Sequence, residues 1–281
     1  MILIADSGST KTIWAVIDHQ NNPFFFNTEG YNPYHISSEK ITVDLQRNLP
    51  RGLNSSGVST VYFFGAGCAG EKNCGIITKA LNGVFSSAAI EVESDIHGAS
   101  LALFGKAPGL TCIIGTGSSS AVWNGNHAQV MCPSLGYVLG DEGSGASLGI
   151  RFLKKYLRKE FSHKSYAFFK SNIDLSDEEI LTTVYREADT KRFLASFVPL
   201  LSSQLRDPIV KTMIQDTFED FIRVFISSVP DYKRLQIGFC GSPAFYFQDI
   251  LGEELDNHGL SASKIIIHPM DGLVEHFLKL Q

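Results

Sequence analysis

One short pattern occurs twice in this chain. The stretch IADSGSTKTIW begins at Ile4, the stretch IIGTGSSSAVW begins at Ile113, and the two align without a gap. In both, an apolar run leads to a small hydroxyl residue, a glycine and a serine, and a second apolar run follows, which is typical of a β-hairpin. A single copy would carry little weight. Two copies predict an internal duplication, which constrains the fold more than any single motif does.

Strand-like and helix-like segments follow each copy. Strands are predicted at residues 23–26, 60–64, 90–95, 111–114, 235–240 and 265–267, and helices at residues 71–81, 98–104 and 146–157. A helical stripe of apolar side chains spans residues 218–225. Strands followed by helices, twice over, predict an α/β protein in two halves. The 281 residues are enough for two domains, and the boundary is predicted at residues 106–109.

Charge and cysteine use argue against several classes of function. The formal net charge is -5 and the basic residues are scattered, so neither a nucleic-acid partner nor an anionic membrane surface is expected. The five cysteines form no CxxC pair and no zinc-like spacing with histidine, which indicates free thiols in a reducing compartment. No apolar run approaches the ~20 residues of a membrane-spanning helix. A cytoplasmic protein is therefore expected.

The glycine turns of the two copies have two interpretations. They can be structural hairpins and nothing more. They can also hold a chain of phosphates, because glycine lets backbone N–H groups approach an anion and the hydroxyls of Ser9, Thr10 and Ser118 add donors. Only the first copy carries a carboxylate, since Asp6 aligns with Gly115. A carboxylate would repel a phosphate directly, but it can hold a hydrated Mg²⁺ that bridges phosphate oxygens.

Four further polar residues are candidates for chemistry. Asp95 is the candidate base for phosphoryl transfer to an alcohol, and its place at the end of a predicted strand favours a position in a cleft. A helix N-cap role alone would also explain it. Asp141 and Glu142 lie between glycines in GDEGSG, where they either start a helix or bind substrate hydroxyls. Asn32 is equally a turn residue or a sugar ligand.

Together these motifs resemble the N-acetylglucosamine kinase group of the BadF/BadG/BcrA/BcrD ATPase family, within the actin, sugar-kinase and heat-shock-chaperone superfamily. The resemblance runs over essentially the whole chain. It is carried, in the family's order and approximate spacing, by DSGSTKT from Asp6, GYN from Gly30, SD from Ser94, GTGS from Gly115 and GDEGSG from Gly140. The turn GSPA from Gly241 resembles the family's adenosine-side loop.

The resemblance implies a fold and an activity. The fold would be two ribonuclease-H-like domains, the duplicated actin-like ATPase fold, enclosing a cleft. Residues 1–107 would form the first domain, with a C-terminal helix at about residues 270–281 packed back onto it, and residues 108–269 the second. The implied activity is ATP- and Mg²⁺-dependent phosphorylation of the 6-hydroxyl of N-acetylglucosamine or a related amino sugar. A homodimer is left open.

The resemblance also implies roles for individual residues. Asp95 would be the base, Asp6 would hold Mg²⁺, and Asn32, Gly136 and Asp141 would bind the sugar. ATP would lie between the two loops, with ten cofactor-binding residues: Asp6, Gly8, Ser9, Thr10, Lys11, Thr116, Gly117, Ser118, Gly241 and Ser242. One stretch departs from the family, because residues 134–136 read SLG where Gly-Trp-Gly is common. Glucosamine or another amino sugar therefore stays open as the acceptor.

Three other classes of protein remain as alternatives. An activator of a dehydratase or reductase would hold an iron–sulfur cluster through cysteines, and the cysteines here lack the expected arrangement. A sugar or nucleotide sensor would have no need of a base such as Asp95. A chaperone-type or cytoskeletal ATPase would carry additional domains, for which 281 residues leave no room.

Overall fold

Two five-stranded mixed sheets form the framework of the fold. The computed structural model describes residues 1–8, 10–187 and 189–280. The chain divides into two units, each with one of the sheets. The first unit consists of Met1–Ala107, Asn124–Ala128 and His268–Gln281, and the second of Pro108–Trp123 and Gln129–Ile267.

The first unit begins with a three-stranded meander and continues with strands and helices in alternation. Its elements are β1 (Ile2–Ser7), β2 (Lys11–Ile17), β3 (Pro23–Glu29), α1 (Ser38–Asn48), a 3₁₀ turn (Ser55–Gly57), β4 (Thr60–Gly65), α2 (Glu71–Asn82), β5 (Ala89–Ser94) and α3 (Asp95–Phe104). The sheet order is β3-β2-β1-β4-β5, with β1 antiparallel to β2 and parallel to β4. Since β5 is also parallel to β4, these three strands end at one edge of the sheet.

The second unit carries more helices. Its elements are β6 (Gly109–Ile114), β7 (Ser118–Trp123), β8 (Ala128–Val130), α4 (Gly136–Leu139), α5 (Gly145–Leu157), α6 (His163–Asn172), α7 (Asp177–Arg186), α8 (Thr190–Ala195), α9 (Val198–Ser202), α10 (Pro208–Phe221), a π-helical turn (Ile222–Ile226), a 3₁₀ turn (Tyr232–Arg234), β9 (Ile237–Cys240), α11 (Ser242–Tyr246), α12 (Gln248–Asn257) and β10 (Ala262–Ile266). The last helix, α13 (Met270–Leu278), belongs to the first unit.

The second sheet repeats the topology of the first. Its order is β10-β9-β6-β7-β8, with β6 antiparallel to β7 and parallel to β9, and β9 parallel to β10. Strand β6 thus corresponds to β1, and β7 to β2, as the aligned sequences require. The predicted duplicated α/β fold is confirmed. The repeat differs between the third and fourth strands, where the second unit inserts α4 to α10 and the first has α1.

Successive side chains of β1 point to opposite faces of the first sheet. Leu3 and Ala5 belong to a core cluster with Ile41 of α1 and Ile77 of α2, so this face is covered by those two helices. The opposite face is covered by α3 and α13, which contact each other and β1. Because side chains alternate along a strand, Asp6 lies on the α3 side and Ser7 on the α1 side.

The second unit has an aromatic core. Phe152 of α5 packs against Phe161, Phe169 and Phe197, with ring centroids 4.9 to 5.7 Å apart. The apolar stripe predicted at residues 218–225 is buried, but α10 ends at Phe221 and the π-helical turn follows it. None of the helices in the described part of the chain combines the length and the apolar composition that crossing a bilayer requires.

Candidate functional site

Asp6 and Asp95 form an acidic pair at the edge where the parallel strands of the first sheet end. Asp6 is the next-to-last residue of β1, and Asp95 is the first residue of α3, which covers the same face of the sheet. Both side chains are half-buried. The strand predicted for residues 90–95 ends at Ser94, because the Ser94 hydroxyl caps α3 by accepting a hydrogen bond from His97 N–H (3.4 Å). Ser94, and not Asp95, is therefore the N-cap.

The two carboxyl groups differ in their surroundings. Burial, and in second place the charge of Asp95, raise the pKa of Asp6 to about 7. Asp95 Oδ1 accepts a hydrogen bond from Ile96 N–H at the start of α3 (2.8 Å). A cation beside the pair would favour the ionised form of Asp6.

Asp6→Asn is expected to raise the melting temperature of the ligand-free protein by about 5 °C more at pH 8 than at pH 5. The carboxyl group ionises near pH 4 in an unfolded chain but near pH 7 in the folded protein. The folded state therefore binds the proton more tightly, and stability falls as the pH rises between these values. Thermal melting in EDTA at both pH values measures the effect; equal shifts at both would contradict it.

The acidic pair fits a magnesium ion that arrives with a nucleotide. Carboxylate oxygens are ligands that Mg²⁺ prefers, and a cation would relieve the burial of the Asp6 charge. Among the described residues no group of three or more His, Cys, Asp or Glu side chains could hold a metal. Such a group is not needed, because Mg²⁺ is commonly bound by one or two carboxylates together with substrate phosphates.

The turn between β1 and β2 carries the first predicted phosphate loop. Gly8 N–H donates to the Lys11 carbonyl oxygen (3.0 Å), which closes the turn. Gly8, Thr10 and Lys11 are exposed, so this turn is open to a ligand. Ser9, predicted as a further phosphate donor, lies outside the described residues.

A hydrogen bond to Ser7 positions the loop that carries Asn32. Ser7 Oγ accepts from the N–H of the fully buried Tyr31 (3.0 Å). Asn32 Oδ1 accepts from Tyr34 N–H (3.0 Å), and Gly67 approaches so closely that a Cβ there would overlap this oxygen. Within the described residues the Asn32 amide nitrogen makes no hydrogen bond. The turn role and the ligand role are thus compatible, because the oxygen serves the turn and the nitrogen remains a donor.

The turn between β6 and β7 carries the second predicted phosphate loop. Gly115 N–H donates to the Gly117 carbonyl oxygen (2.9 Å). The first N–H groups of α5 bond to the same turn, from Gly145 to the Gly115 oxygen (2.8 Å) and from Ala146 to the Thr116 oxygen (3.2 Å). The start of α5 therefore supports the loop with its N–H groups.

Asp141 is buried behind this second loop, with only 1% of its surface exposed and a φ of +56°. Ser118 N–H donates to Asp141 Oδ1 (3.3 Å), and Lys191 Nζ of α8 forms an ion pair with Oδ2 at 2.8 Å. Gly117 is beside the same ammonium group, since a Cβ at Gly117 would overlap Lys191 Nζ. Asp141 thus joins the second phosphate loop to a lysine that no sequence motif indicated.

The turn after β9 packs against the second loop. Gly241 has a φ of +130°, donates its N–H to the Ile266 oxygen (2.9 Å), and lies so near β6 that a Cβ would overlap the Ile114 carbonyl oxygen. Ser242 begins the short helix α11 and is exposed. Gly136 begins α4 with a φ of +73°. Its carbonyl oxygen accepts a hydrogen bond from the N–H of Gly140 (2.8 Å), the residue that precedes Asp141.

Each unit thus gathers its own predicted residues. The first brings Asp6, Gly8, Asn32 and Asp95 to one edge of its sheet, and the second brings Thr116, Gly117, Ser118, Asp141 and Gly241 together. Two supporting residues, Ser7 and Lys191, were missed. The alternation of β1 could have indicated Ser7, whereas no local pattern marks Lys191. All five cysteines are free thiols, as predicted.

Comparisons with known proteins give three informative matches, and no family model matches the chain. The solved structure of a candidate N-acetylglucosamine kinase from Porphyromonas gingivalis is 34% identical, covers 99% of both chains and superimposes with a TM-score of 0.94. An N-acetylmuramic acid/N-acetylglucosamine kinase of Clostridium acetobutylicum is 27% identical over 187 residues, which are 61% of this chain and 60% of that protein. A ROK family glucokinase from Streptomyces griseus, solved with glucose and AMPPNP, is 15% identical over 98% of this chain and 97% of its own, with a TM-score of 0.59.

Proposed function

The chain belongs to the family of sugar kinases with the duplicated actin-like fold that the Porphyromonas gingivalis protein represents, and on that premise we propose that it transfers the γ-phosphoryl group of ATP to the 6-hydroxyl of N-acetylglucosamine or a related amino sugar. The names of the relatives from P. gingivalis and C. acetobutylicum support N-acetylglucosamine as the acceptor. Membership of the BadF/BadG/BcrA/BcrD family stays a prediction from the motifs.

The acidic pair of Asp6 and Asp95 carries this proposal. Transfer to an alcohol needs a base beside the attacking hydroxyl group, and Asp95 offers a carboxyl group at the start of α3. Asp6 would hold Mg²⁺, which when bound neutralises charge on the phosphate oxygens. The burial that raises the pKa of Asp6 also makes a cation partner favourable there.

The two loops would bind the phosphates. The exposed turn offers the Thr10 hydroxyl group and the Lys11 ammonium group, and the Gly115–Ser118 turn offers the N–H groups of Thr116 and Gly117 and the Ser118 hydroxyl group. Gly241 and Ser242 would line the adenosine side, and their turn packs against the end of β6 next to the second loop. Backbone donors of this kind act as a preorganised anion site and need no rearrangement during transfer.

The sugar ligands are proposed with less local geometry to support them. Asn32 is held by the Ser7 network and keeps its amide nitrogen as a donor for a sugar oxygen. Gly136 and Asp141 remain predictions from the motif resemblance. Since residues 134–136 read SLG, an amino sugar other than N-acetylglucosamine stays open as the acceptor.

An assay of ADP release with Mg-ATP tests the proposal. The acceptors are N-acetylglucosamine, glucosamine, N-acetylmannosamine and glucose, with a control that contains no sugar. We expect one amino sugar to stimulate ADP release strongly above that control. Equal release with and without every sugar would indicate an ATPase or an activator, and would contradict the proposed kinase activity.

A further inference from the structure

The ion pair between Asp141 and Lys191 lies at the second loop, and its two side chains differ in their exposure to solvent. The Asp141 side chain is 1% exposed, whereas that of Lys191 is 37% exposed. A carboxylate withdrawn from water is unfavourable unless it is paired, and the pairing here is supplied from the solvent side by a long, flexible side chain. Lys191 is therefore the more accessible partner of the pair.

The space beside Gly117 receives this ammonium group. A Cβ at Gly117 would overlap Lys191 Nζ and would come within 3.1 Å of Asp141 Oδ1. The loop residue nearest to the lysine is thus one without a side chain, and Nζ lies directly against the backbone of the predicted phosphate loop.

Ser118 adds a second and independent observation. Only 5% of this residue is exposed, and its hydroxyl oxygen is buried without a hydrogen-bond partner among the described residues. Its N–H points to Asp141 Oδ1. A buried hydroxyl group without a partner is a donor that a phosphate oxygen can accept from.

We propose that Lys191 binds a phosphate group of the nucleotide at the Gly115–Ser118 turn, and that Asp141 holds the Lys191 ammonium group in place for it. The inference rests on the proposed function and extends it by one residue. A phosphate at this turn meets the ammonium group of Lys191 and the hydroxyl group of Ser118. Lys191 also neutralises Asp141, whose carboxylate would otherwise repel an anion from the loop.

Calorimetric titration with AMPPNP and with adenosine tests this role without any turnover. Lys191→Met is expected to weaken AMPPNP binding roughly 10- to 100-fold, the loss that one charge-assisted hydrogen bond corresponds to. Adenosine, which has no phosphate, should bind the variant as it binds the wild type. The matched control is Lys170→Met on the exposed side of α6, which should bind both ligands normally. Lys191→Arg keeps the charge and should retain most of the AMPPNP affinity.

A second pair of variants covers loss of folding, because Lys191→Met leaves a buried carboxylate unpaired. Asp141→Asn is compared with Asp141→Asn/Lys191→Met, neither of which contains that carboxylate. The amide oxygen introduced by Asp141→Asn can still accept a hydrogen bond from Lys191 Nζ and keep it at the turn, so the double variant should bind AMPPNP at least about tenfold more weakly than the single one. Equal AMPPNP affinity within this pair, or between wild type and a folded Lys191→Met protein, would show a purely structural ion pair and overturn the inference.

These outcomes are separate from those of the kinase assay. A protein that binds AMPPNP through Lys191 but phosphorylates no sugar would retain the inference and lose the proposed acceptor. A protein that phosphorylates an amino sugar and binds AMPPNP equally well without Lys191 would retain the function and lose the inference.

Discussion

Asp95→Asn is expected to lower kcat for sugar-dependent ADP release roughly 10²- to 10⁴-fold, the contribution typical of a general base. The amide has nearly the shape of the carboxylate and can still accept the hydrogen bond from Ile96 N–H, so α3 should begin as before. It cannot take a proton from the sugar hydroxyl group. Affinity for AMPPNP should stay within about threefold of the wild type, because the change alters a proton acceptor and no proposed phosphate donor.

Glu93→Gln is the matched control for this variant. Glu93 is an exposed carboxylate on β5, 3.4 Å from His97 Nδ1, and it lies near Asp95 in sequence. Neutralising it changes the local charge but not the proposed base, so kcat should change little. If Asp95→Asn kept kcat within about threefold of the wild type, Asp95 would not be the base.

Gly241→Ala is expected to destabilise the protein by more than about 3 kcal/mol, which places it among the exceptional single substitutions. An alanine at φ +130° is strained, and its Cβ would overlap the Ile114 carbonyl oxygen at the end of β6. Neither backbone can easily move, because Gly241 N–H is bonded to the Ile266 oxygen and Ile114 is paired with Ser118. The free energy of unfolding in urea measures the effect.

Gly252→Ala provides the control for that prediction. Gly252 lies in α12, and a Cβ there would meet no atom within 4 Å. Alanine in a helix interior is favoured over glycine by up to about 1 kcal/mol, so this variant should be as stable as the wild type or more stable. A Gly241→Ala protein within about 1 kcal/mol of the wild type would contradict the close approach of the β9 turn to β6.

Local patterns were sufficient to predict the duplicated fold. The aligned stretches from Ile4 and Ile113 became the paired strands β1–β2 and β6–β7, because apolar runs separated by a glycine turn specify a hairpin without help from distant residues. The position of Asp95 between a strand and a helix was predicted, but the residue that caps this helix was not. Ser and Asp are both good N-caps, so SD leaves the helix start ambiguous by one residue, and tertiary packing assigned the cap to Ser94.

The supporting contacts of the candidate site depend on distance in space rather than in sequence. Lys191 reaches Asp141 from α8, the fourth helix after the GDEGSG motif, and an isolated lysine in such a helix gives no signal. The same holds for Gly67, which meets Asn32 only because the loops after β3 and β4 converge. Contacts of this kind follow from the fold and cannot be read from periodicity.

Identification of the product tests the central claim most directly. The protein is incubated with Mg-ATP and N-acetylglucosamine, with glucosamine in parallel, and the products are followed by ³¹P NMR coupled to the sugar protons. The account predicts a new phosphate ester whose phosphorus couples to the protons on carbon 6 of the sugar, in step with ADP. Inorganic phosphate appearing together with ADP, and no phosphate ester on either sugar, would contradict it.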